Sequence, residues 1–298
     1  MHIMPKGKKR KEREAAAARE AEGEEDEAEL EEEPQLEIQA GDDDPEDLQV
    51  EFAFFDPRPE DYHSMRALLA GGATLPPGID PGGFADLLSE QAAVGTLVKG
   101  DSIDTDVYGF VSAIGLQQHA KVKCVQQLTA SVLKRLPDAA AIGALRGWLA
   151  DAKAPVGLIV SERFVNMPPQ LLPNLVDALV QDIDWAVQNA DDKAERDGFK
   201  FRRLLLLASV QLPKPGGTSK AAAAASPAGK PGKKQAVAAA ALPSGAEYCR
   251  VEEECLAQQA EAAHLLNGTG RERQMLLVLR LEALRAAVPK LHALIARA

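Results

Sequence analysis

The chain has 298 residues, a formal net charge of −11 and only 4% aromatic residues. Its three cysteines are odd in number and have no CxxC spacing, which argues against a disulfide framework or a zinc knuckle and favours a reducing compartment. The N-terminus has no apolar signal core, and no apolar run approaches the roughly 18 to 20 residues of a membrane span. We therefore expect a soluble intracellular protein with no membrane partner.

Residues 1–47 differ from the remainder, because they hold 7 Lys/Arg and 18 Asp/Glu and so carry the whole net charge. They lack large apolar residues, which predicts a disordered tail. Its basic cluster is typical of a nuclear-import signal and consists of Lys8, Lys9, Arg10 and Lys11. The acidic run from Glu20 to Asp47 is compatible with two roles, shielding a basic partner or only solubilising the chain.

Strand and helix periods alternate through the first half of the chain. The segment VEFAFF (50–55) alternates like a half-buried strand, and DPRPEDYHSMRALLAGG begins a helix with Pro59 in its first turn and Gly71 past its end. GFADLLSEQAAVG predicts a short helix, and GTLVKG and VYGFVSAIGL predict strands. Apolar spacings of three and four then predict two helices, over 119–135 and 138–150.

The second half continues this alternation. GLIVSER (157–163) is an almost continuous apolar run and predicts a buried central strand. FRRLLLLASVQL predicts another buried strand. EYCRVEEECLAQQAEAAHLL predicts a helix, and MLLVLRL (275–281) predicts a strand that leads into a final helix through Ala293. The helix after GLIVSER has on one face Leu172, Leu175, Leu179, Ile183 and Val187.

An insert interrupts the predicted domain at residues 212–242, which contain five Lys and no acidic residue. Its Ala, Gly and Pro content predicts disorder. The alternating elements elsewhere predict an α/β (α+β) fold, with helices packed on one mixed sheet. We expect a single domain over 48–298 that the insert interrupts.

The segment KAPVGLIVSERFVNMPPQLLPNLVDAL resembles the signature region of the BCCIP family of eukaryotic proteins. VEFAFFDPRPEDYHSMRALL resembles the family's first strand and helix, VYGFVSAIGL resembles its second strand region, and a Lys-rich insert precedes the C-terminal part. The resemblance covers residues 48–211 well and the C-terminal part loosely. SERFVNMPPQ is its most specific piece.

The resemblance implies a fold similar to the GNAT acetyltransferases, in proteins that bind partners rather than act as enzymes. Fungal members belong to ribosome assembly and nuclear export. The implied partners are a basic ribosomal protein of the large subunit, nuclear transport factors and, in animal relatives, DNA-repair and cell-cycle regulators. The loop before VYGFVS is long and acidic in some relatives but is only DSIDTD here, so contacts made by that loop are not carried over.

The strand–loop–helix around SERFVNMPPQ has the layout of a coenzyme site but not its chemistry. A phosphate loop needs glycines, because the backbone must approach the pyrophosphate and offer free N–H groups. No glycine occurs between Gly157 and Gly198, and Pro168 and Pro169 have no N–H. Pro169 suits the first helical position, and Asn166 can cap the turn. We predict no cofactor and a rigid exposed corner.

Other constellations do not indicate catalysis or metal binding. Ser161 is not in a G-x-S-x-G motif, and the five histidines have no metal-ligand spacing. The Gly-x-Gly of LNGTGRER indicates a connecting loop. An acidic turn formed by Asp101, Asp104 and Asp106 lacks the pattern of a calcium loop and predicts a solvated turn.

The corner is instead a candidate for contact with another protein. Glu162 and Arg163 end the buried strand, where they can pair with each other and fix the corner or contact a partner. The loop after them is apolar, which favours a contact site, although part of it can fold inward. The predicted partner-binding residues are Glu162, Arg163, Phe164, Val165, Asn166, Met167, Pro168 and Pro169.

Residues after 47 carry 27 basic and 27 acidic side chains, a balance that disfavours direct sequence-specific binding of nucleic acid. The predictions combine into a nuclear, non-enzymatic escort for a basic large-subunit ribosomal protein, with shuttling to the cytoplasm. Two alternatives stay open. One is an adaptor for DNA-repair and cell-cycle regulators, and the other is a divergent GNAT-type acyltransferase.

Overall fold

A computed structural model describes residues 52–100, 102–190, 192–214 and 242–297. The predicted nuclear-import cluster and the acidic run both lie outside these residues. So does the greater part of the predicted insert, residues 215–241.

One mixed sheet of eight strands organises the described part of the chain. Its order is β1-β2-β3-β4-β5-β8-β7, and β6 pairs with β5. The β4–β5 pair is parallel and the other pairs are antiparallel. The strands are β1 Ala53–Phe55, β2 Gly95–Lys99, β3 Gly109–Gly115, β4 Val156–Arg163, β5 Arg203–Gln211, β6 Glu247–Tyr248, β7 Ala262–Leu265 and β8 Glu272–Leu279.

Helices cover both faces of this sheet. Two 3-10 turns, Pro59–Asp61 and Pro169–Leu171, lead directly into α1 and α5. None of the helices in the described ranges is both long and apolar enough to span a bilayer. The helices are α1 Tyr62–Gly71, α2 Pro81–Glu90, α3 Lys123–Arg135, α4 Ala139–Ala150, α5 Leu172–Asn189, α6 Lys193–Gly198, α7 Val251–Ala257 and α8 Leu281–Ile295.

Two apolar cores lie on opposite faces of the sheet. Helices α1 to α4 contribute to one core, and α5, α7 and α8 contribute to the other. In β4, Leu158 and Val160 face the first core while Ile159 faces the second. A strand that is buried on both faces needs apolar residues at consecutive positions, which is why GLIV reads as a continuous apolar run. The predicted single α/β domain with one mixed sheet is confirmed.

Several predicted boundaries differ from the structure. Gly71 is the last residue of α1 rather than the first one past it. Helix α3 begins at Lys123 rather than at residue 119, because a turn in which the His119 N–H donates to the Gly115 carbonyl comes first. Helix α6 was missed. It begins at a cap in which Asp192 accepts a hydrogen bond from the Glu195 N–H at 2.6 Å.

The largest difference concerns EYCRVEEECLAQQAEAAHLL, which was predicted to be one helix. Only Val251–Ala257 is helical, and the flanking residues form the short strands β6 and β7. Each of these strands adds to an edge that the sheet leaves free, β6 to β5 and β7 to β8. Hydrogen bonding to a distant edge thus overrides the local helical pattern.

Candidate functional site

The candidate site is the corner after β4, residues 164–169. The Phe164 N–H donates to the Tyr108 carbonyl at 2.9 Å, which holds the corner to the residue before β3, and the Met167 N–H closes the first turn by donating to the Phe164 carbonyl at 3.1 Å. Pro169 begins the 3-10 turn that leads into α5, as predicted. Pro168 occupies the cap position, and among the described residues no side chain caps it, so the prediction that Asn166 caps this turn is wrong.

The corner presents an apolar tip to solvent. Phe164 is 48% exposed and Val165 is 97% exposed. Asn166 and Pro169 are also exposed, and Pro168 is half-buried. Exposed large apolar side chains on an ordered turn are typical of a contact surface.

A row of aromatic rings supports this tip. The Phe164 ring packs edge-on against Tyr108 with centroids 6.2 Å apart, and Tyr108 packs in the same way against Phe52 at 5.6 Å. Behind the tip, Met167 is only 4% exposed and joins the core that contains α5. One part of the predicted apolar loop therefore folds inward, and the tip rests on packed side chains.

Glu162 lies behind the corner rather than on its surface, since it is only 1% exposed. Its carboxylate accepts a hydrogen bond from the Thr74 N–H at 2.7 Å and pairs with Arg250. It also fills the space beside Gly72, where an added Cβ would lie 2.1 Å from the Glu162 carboxyl carbon. Glu162 thus ties the loop after α1 to the end of β4.

Arg163 points to another partner, Glu252 at the start of α7, with Nε and Oε1 3.2 Å apart. The hypothesis that Glu162 and Arg163 pair with each other is wrong. Successive side chains of a strand point to opposite faces of the sheet, so neighbours in sequence do not meet. Each residue instead reaches a charge that lies almost 90 positions further along the chain.

The segment that supplies these charges fills a gap between β4 and β5. The two strands pair only over Val156–Ile159 and Arg203–Leu206, although both continue further. On the β4 side of the gap, Arg250 donates to the Ser161 carbonyl at 3.0 Å. The backbone edges inside the gap are therefore hydrogen-bonded by the chain itself.

On the β5 side of the gap, Glu253 accepts a hydrogen bond from the Ser209 N–H at 2.7 Å, and the Cys249 N–H donates to the Ser209 carbonyl at 2.8 Å. Burial raises the pKa of Glu253 to about 8, and the nearby carboxylates of Glu252 and Glu162 add to that rise. We call Glu162, Arg163, Arg250 and Glu252 the paired-charge cluster, and Glu253 lies beside it. The cluster holds the gap closed from within.

The same geometry explains why the corner is unsuited to phosphate. The N–H groups of Phe164, Met167 and Leu171 already donate to nearby carbonyls, and Pro168 and Pro169 have none to offer. Phosphate sites at helix N-termini depend on several free N–H groups that converge. Within the described ranges, moreover, no group of three or more His, Cys, Asp or Glu side chains is placed to hold a metal ion.

The acidic turn and the Gly-x-Gly loop have structural surroundings of their own. Asp104 accepts a hydrogen bond from Arg58 at 3.2 Å, and Asp106 accepts one from Ser64 at 3.4 Å. The Gly-x-Gly of LNGTGRER connects β7 to β8, with Gly270 at a φ of 84°, in the region that favours glycine. This loop is followed by a strand, so it does not begin a helix.

Sequence reasoning missed an open cleft beside the corner. It has a volume of about 820 Å³ and is lined by the loop after α1, by Val165 and by the β7–β8 loop. Its charged lining consists of Arg135, Arg163, Arg250 and Arg273 together with Glu272. These arginines come from four separate parts of the chain, so no local motif indicates that the fold brings them together.

The chain matches the model of a known protein family. A model of the BCCIP family matches residues 47–256. The chain belongs to the BCCIP family. The family match extends over the corner, the paired-charge cluster and the strands that carry them.

Named relatives agree with this assignment. Protein BCCIP homolog of Arabidopsis thaliana is 34% identical over 170 residues, which cover 57% of this chain and 52% of the relative. The human protein named BRCA2 and CDKN1A-interacting protein is 30% identical over 138 residues, 42% of this chain and 44% of its own length. The matched part thus spans about half the length of these relatives. The human relative is named for interaction rather than for a reaction.

A solved structure supports the fold. The crystal structure of BCP1 from Saccharomyces cerevisiae matches with a TM-score of 0.58 at 18% identity, over 82% of this chain and 88% of that one. At this identity the likeness concerns the fold alone. The predicted similarity to the GNAT fold in particular stays a prediction.

Proposed function

We propose that this BCCIP-family chain is a nuclear, non-enzymatic binding protein that escorts a basic ribosomal protein of the large subunit during ribosome assembly and export. The observation that carries the proposal is the apolar tip, Phe164 and Val165, held outward on a packed and ion-paired support. A tip of this kind supplies specificity, because its shape is set before binding and little entropy is lost on contact.

The acidic run supplies the second part of the proposed mechanism. From Glu20 to Asp47 the chain has 16 acidic and no basic residues. Such a run attracts a strongly basic partner through many weak contacts, which salt screens over a Debye length of about 10 Å at 0.1 M. We infer that the run masks the client's positive charge while the corner selects the client.

The proposal is tested by capture from nuclear extract with the full chain and with F164S/V165S. We expect the wild-type chain to enrich one basic large-subunit ribosomal protein and the variant to lose most of it, because an apolar contact in the interface is removed. L294S is the matched control, since Leu294 is 44% exposed on α8. Equal capture by F164S/V165S and the wild-type chain would overturn the assignment of the corner.

A second full-chain variant, in which the acidic residues of Glu20–Asp47 become Asn or Gln, separates the two parts of the mechanism. Under the proposal, capture of the client weakens but persists, because the corner still selects it. The wild-type chain could instead capture a mixed set of basic proteins, all of which are lost when the acidic residues are neutralised. The acidic run would then bind basic proteins without specificity, and the escort proposal would fail.

Nuclear localisation is a separate part of the proposal, and it rests on Lys8, Lys9, Arg10 and Lys11. Changing all four to Gln in a fluorescent full-length fusion should move the protein to the cytoplasm. K121Q/K123Q, which removes two lysines ahead of and within α3, is the control and should leave the distribution unchanged. A variant that still accumulates in the nucleus would contradict this import signal.

A second candidate function is an adaptor for DNA-repair and cell-cycle regulators, and the name of the human relative favours it. The two functions differ in their dependence on charge. Adaptor binding through the folded domain should survive neutralisation of the acidic run unchanged, whereas escort of a basic client should weaken. Identification of the captured proteins by mass spectrometry distinguishes them.

A further inference from the structure

Two arginines in the cleft beside the corner, Arg135 and Arg273, form no ion pair among the described residues. Arg163 and Arg250 pair with Glu252 and Glu162. Arg135 and Arg273 instead donate to neutral acceptors, and no salt bridge is formed by either among the described residues. One carboxylate, Glu272, also lines the cleft, so the arginines still exceed the acidic side chains on its wall.

The hydrogen bonds of these two side chains hold them in place. Arg135, in the last turn of α3, donates from Nη2 to the Gln274 side-chain oxygen at 2.9 Å. Arg273 donates from Nη2 to the Leu266 carbonyl at 2.7 Å. Burial lowers the pKa of Arg135, and the charge of Arg273 lowers it further. Like charges held close together by neutral acceptors repel each other, and carboxylates in the cleft would relieve that repulsion.

The acidic segment Glu20–Asp47 is the nearest source of such carboxylates along the chain. Asp47 precedes Phe52 by five positions, which span at most about 17 Å when extended. Phe52 contacts Tyr108, Tyr108 contacts Phe164, and Val165 lines the cleft. The point at which the acidic segment joins the fold is therefore linked by packed side chains to the edge of the cleft.

We propose that the chain's own acidic segment, Glu20–Asp47, binds in the arginine cleft, where its carboxylates pair with Arg135 and Arg273. Tethering gives the segment an effective concentration in the millimolar range, so individually weak pairs suffice. A basic partner that binds the acidic segment then competes with the cleft. Only this consequence rests on the proposed escort function. The contact within the chain does not.

The test measures paramagnetic broadening of NMR signals in the full chain without any partner. A spin label is attached at G41C in a C249S background, since Cys249 is exposed and the other two cysteines are buried. The reporters are the methyl signals of Val165 and Leu75, both of which line the cleft. We expect both signals to broaden, and we expect the broadening to fall as salt is raised from about 0.1 M to about 1 M.

Removal of the arginines separates binding from mere proximity of the tether. R135Q/R273Q should lose most of the broadening. R66Q/R146Q, which removes two exposed arginines outside the cleft, should keep it. The proposal would be overturned if the labelled protein with both arginines intact showed no broadening of the Val165 and Leu75 signals. It would also be overturned if R135Q/R273Q showed the same broadening as that protein.

A variant that leaves the folded domain untouched keeps the test decisive if R135Q/R273Q unfolds. The variant in which the acidic residues of Glu20–Asp47 become Asn or Gln, with the label at the same position, should also lose most of the broadening. Persistence of the broadening would overturn the proposal. Inorganic phosphate should displace the segment and reduce the broadening. If phosphate shifts the NMR signals of the cleft while the broadening persists, the cleft is an oxyanion site that the acidic segment does not occupy. That result would contradict the proposal.

Discussion

The β4–β5 gap and the cleft beside it place arginines in the same corner of the fold but under opposite conditions. In the gap, Arg250 is paired with Glu162, which is 1% exposed. In the cleft, Arg135 and Arg273 donate only to neutral groups of the described chain. The paired charges therefore connect distant segments of the fold, whereas Arg135 and Arg273 keep a positive charge that no described carboxylate neutralises by direct pairing.

Breaking the paired-charge cluster should have the largest effect on stability. R250M leaves the Glu162 carboxylate buried without its cation, which should cost about 3 kcal/mol of unfolding free energy. Denaturant unfolding measures it. The control is E162Q/R250M, which should lose only about 1 kcal/mol because no buried charge remains alone. A loss below about 1 kcal/mol in R250M would contradict a structural role for the pair.

A second test crowds Glu162 without changing any charge. In G72A the new Cβ overlaps the Glu162 carboxyl group, whose carbon is 2.1 Å from that position. The carboxylate must move away from Thr74 and Arg250, and we expect a loss of about 2 kcal/mol in the same unfolding assay. G71A is the matched control, since no atom lies within 4 Å of its Cβ. If G72A and G71A unfold alike, Glu162 is not held as described.

The third test uses pH. The folded-state pKa of Glu253, about 8, lies above its ordinary value of 4.5, so the folded protein binds a proton that the unfolded chain has released. Stability from this group is present at low pH and is lost as the pH rises towards about 8. E253Q mimics the protonated acid. It should match the wild type near pH 5 and exceed it near pH 8, by on the order of 1 to 2 kcal/mol.

E254Q is the control for this pH dependence, because Glu254 is exposed on the same helix. Thermal unfolding across the pH range should show the wild-type slope for E254Q and a flatter slope for E253Q. Parallel slopes for all three proteins would mean that Glu253 is already ionised in the fold at neutral pH.

The smallest effect is expected in the cleft. R135Q/R273Q removes two like charges together with hydrogen bonds to neutral acceptors, and these changes oppose each other. We therefore expect the unfolding free energy to stay within about 1 kcal/mol of the wild type. A loss as large as that of R250M would remove the distinction between gap and cleft, because the unpaired arginines would then also be structural.

Features of the fold that depend on neighbouring residues could be predicted from the sequence. The central strand over 157–163 was recognised because burial on both faces demands a continuous apolar run. The start of a helical turn at Pro169 followed from the fixed φ of proline. Both features are set by residues that are neighbours in sequence.

Features that depend on distant segments were not predictable in the same way. Strands β6 and β7 are two and four residues long and exist because β5 and β8 offer free edges. The partners of Glu162 and Arg163 come from a segment that reads only as an acidic helix start. The alternation of a strand already places Glu162 and Arg163 on opposite faces, so the sequence alone excludes an ion pair between them.

The central claim is that the apolar tip of the corner meets the partner, and hydroxyl-radical footprinting of the captured complex tests it most directly. Phe164 and Leu294 are exposed to similar degrees, 48% and 44%, so Leu294 serves as an internal reference. We predict that oxidation of Phe164 slows in the complex while oxidation of Leu294 is unchanged. Unchanged oxidation of Phe164 in a complex that protects other surfaces would contradict the claim.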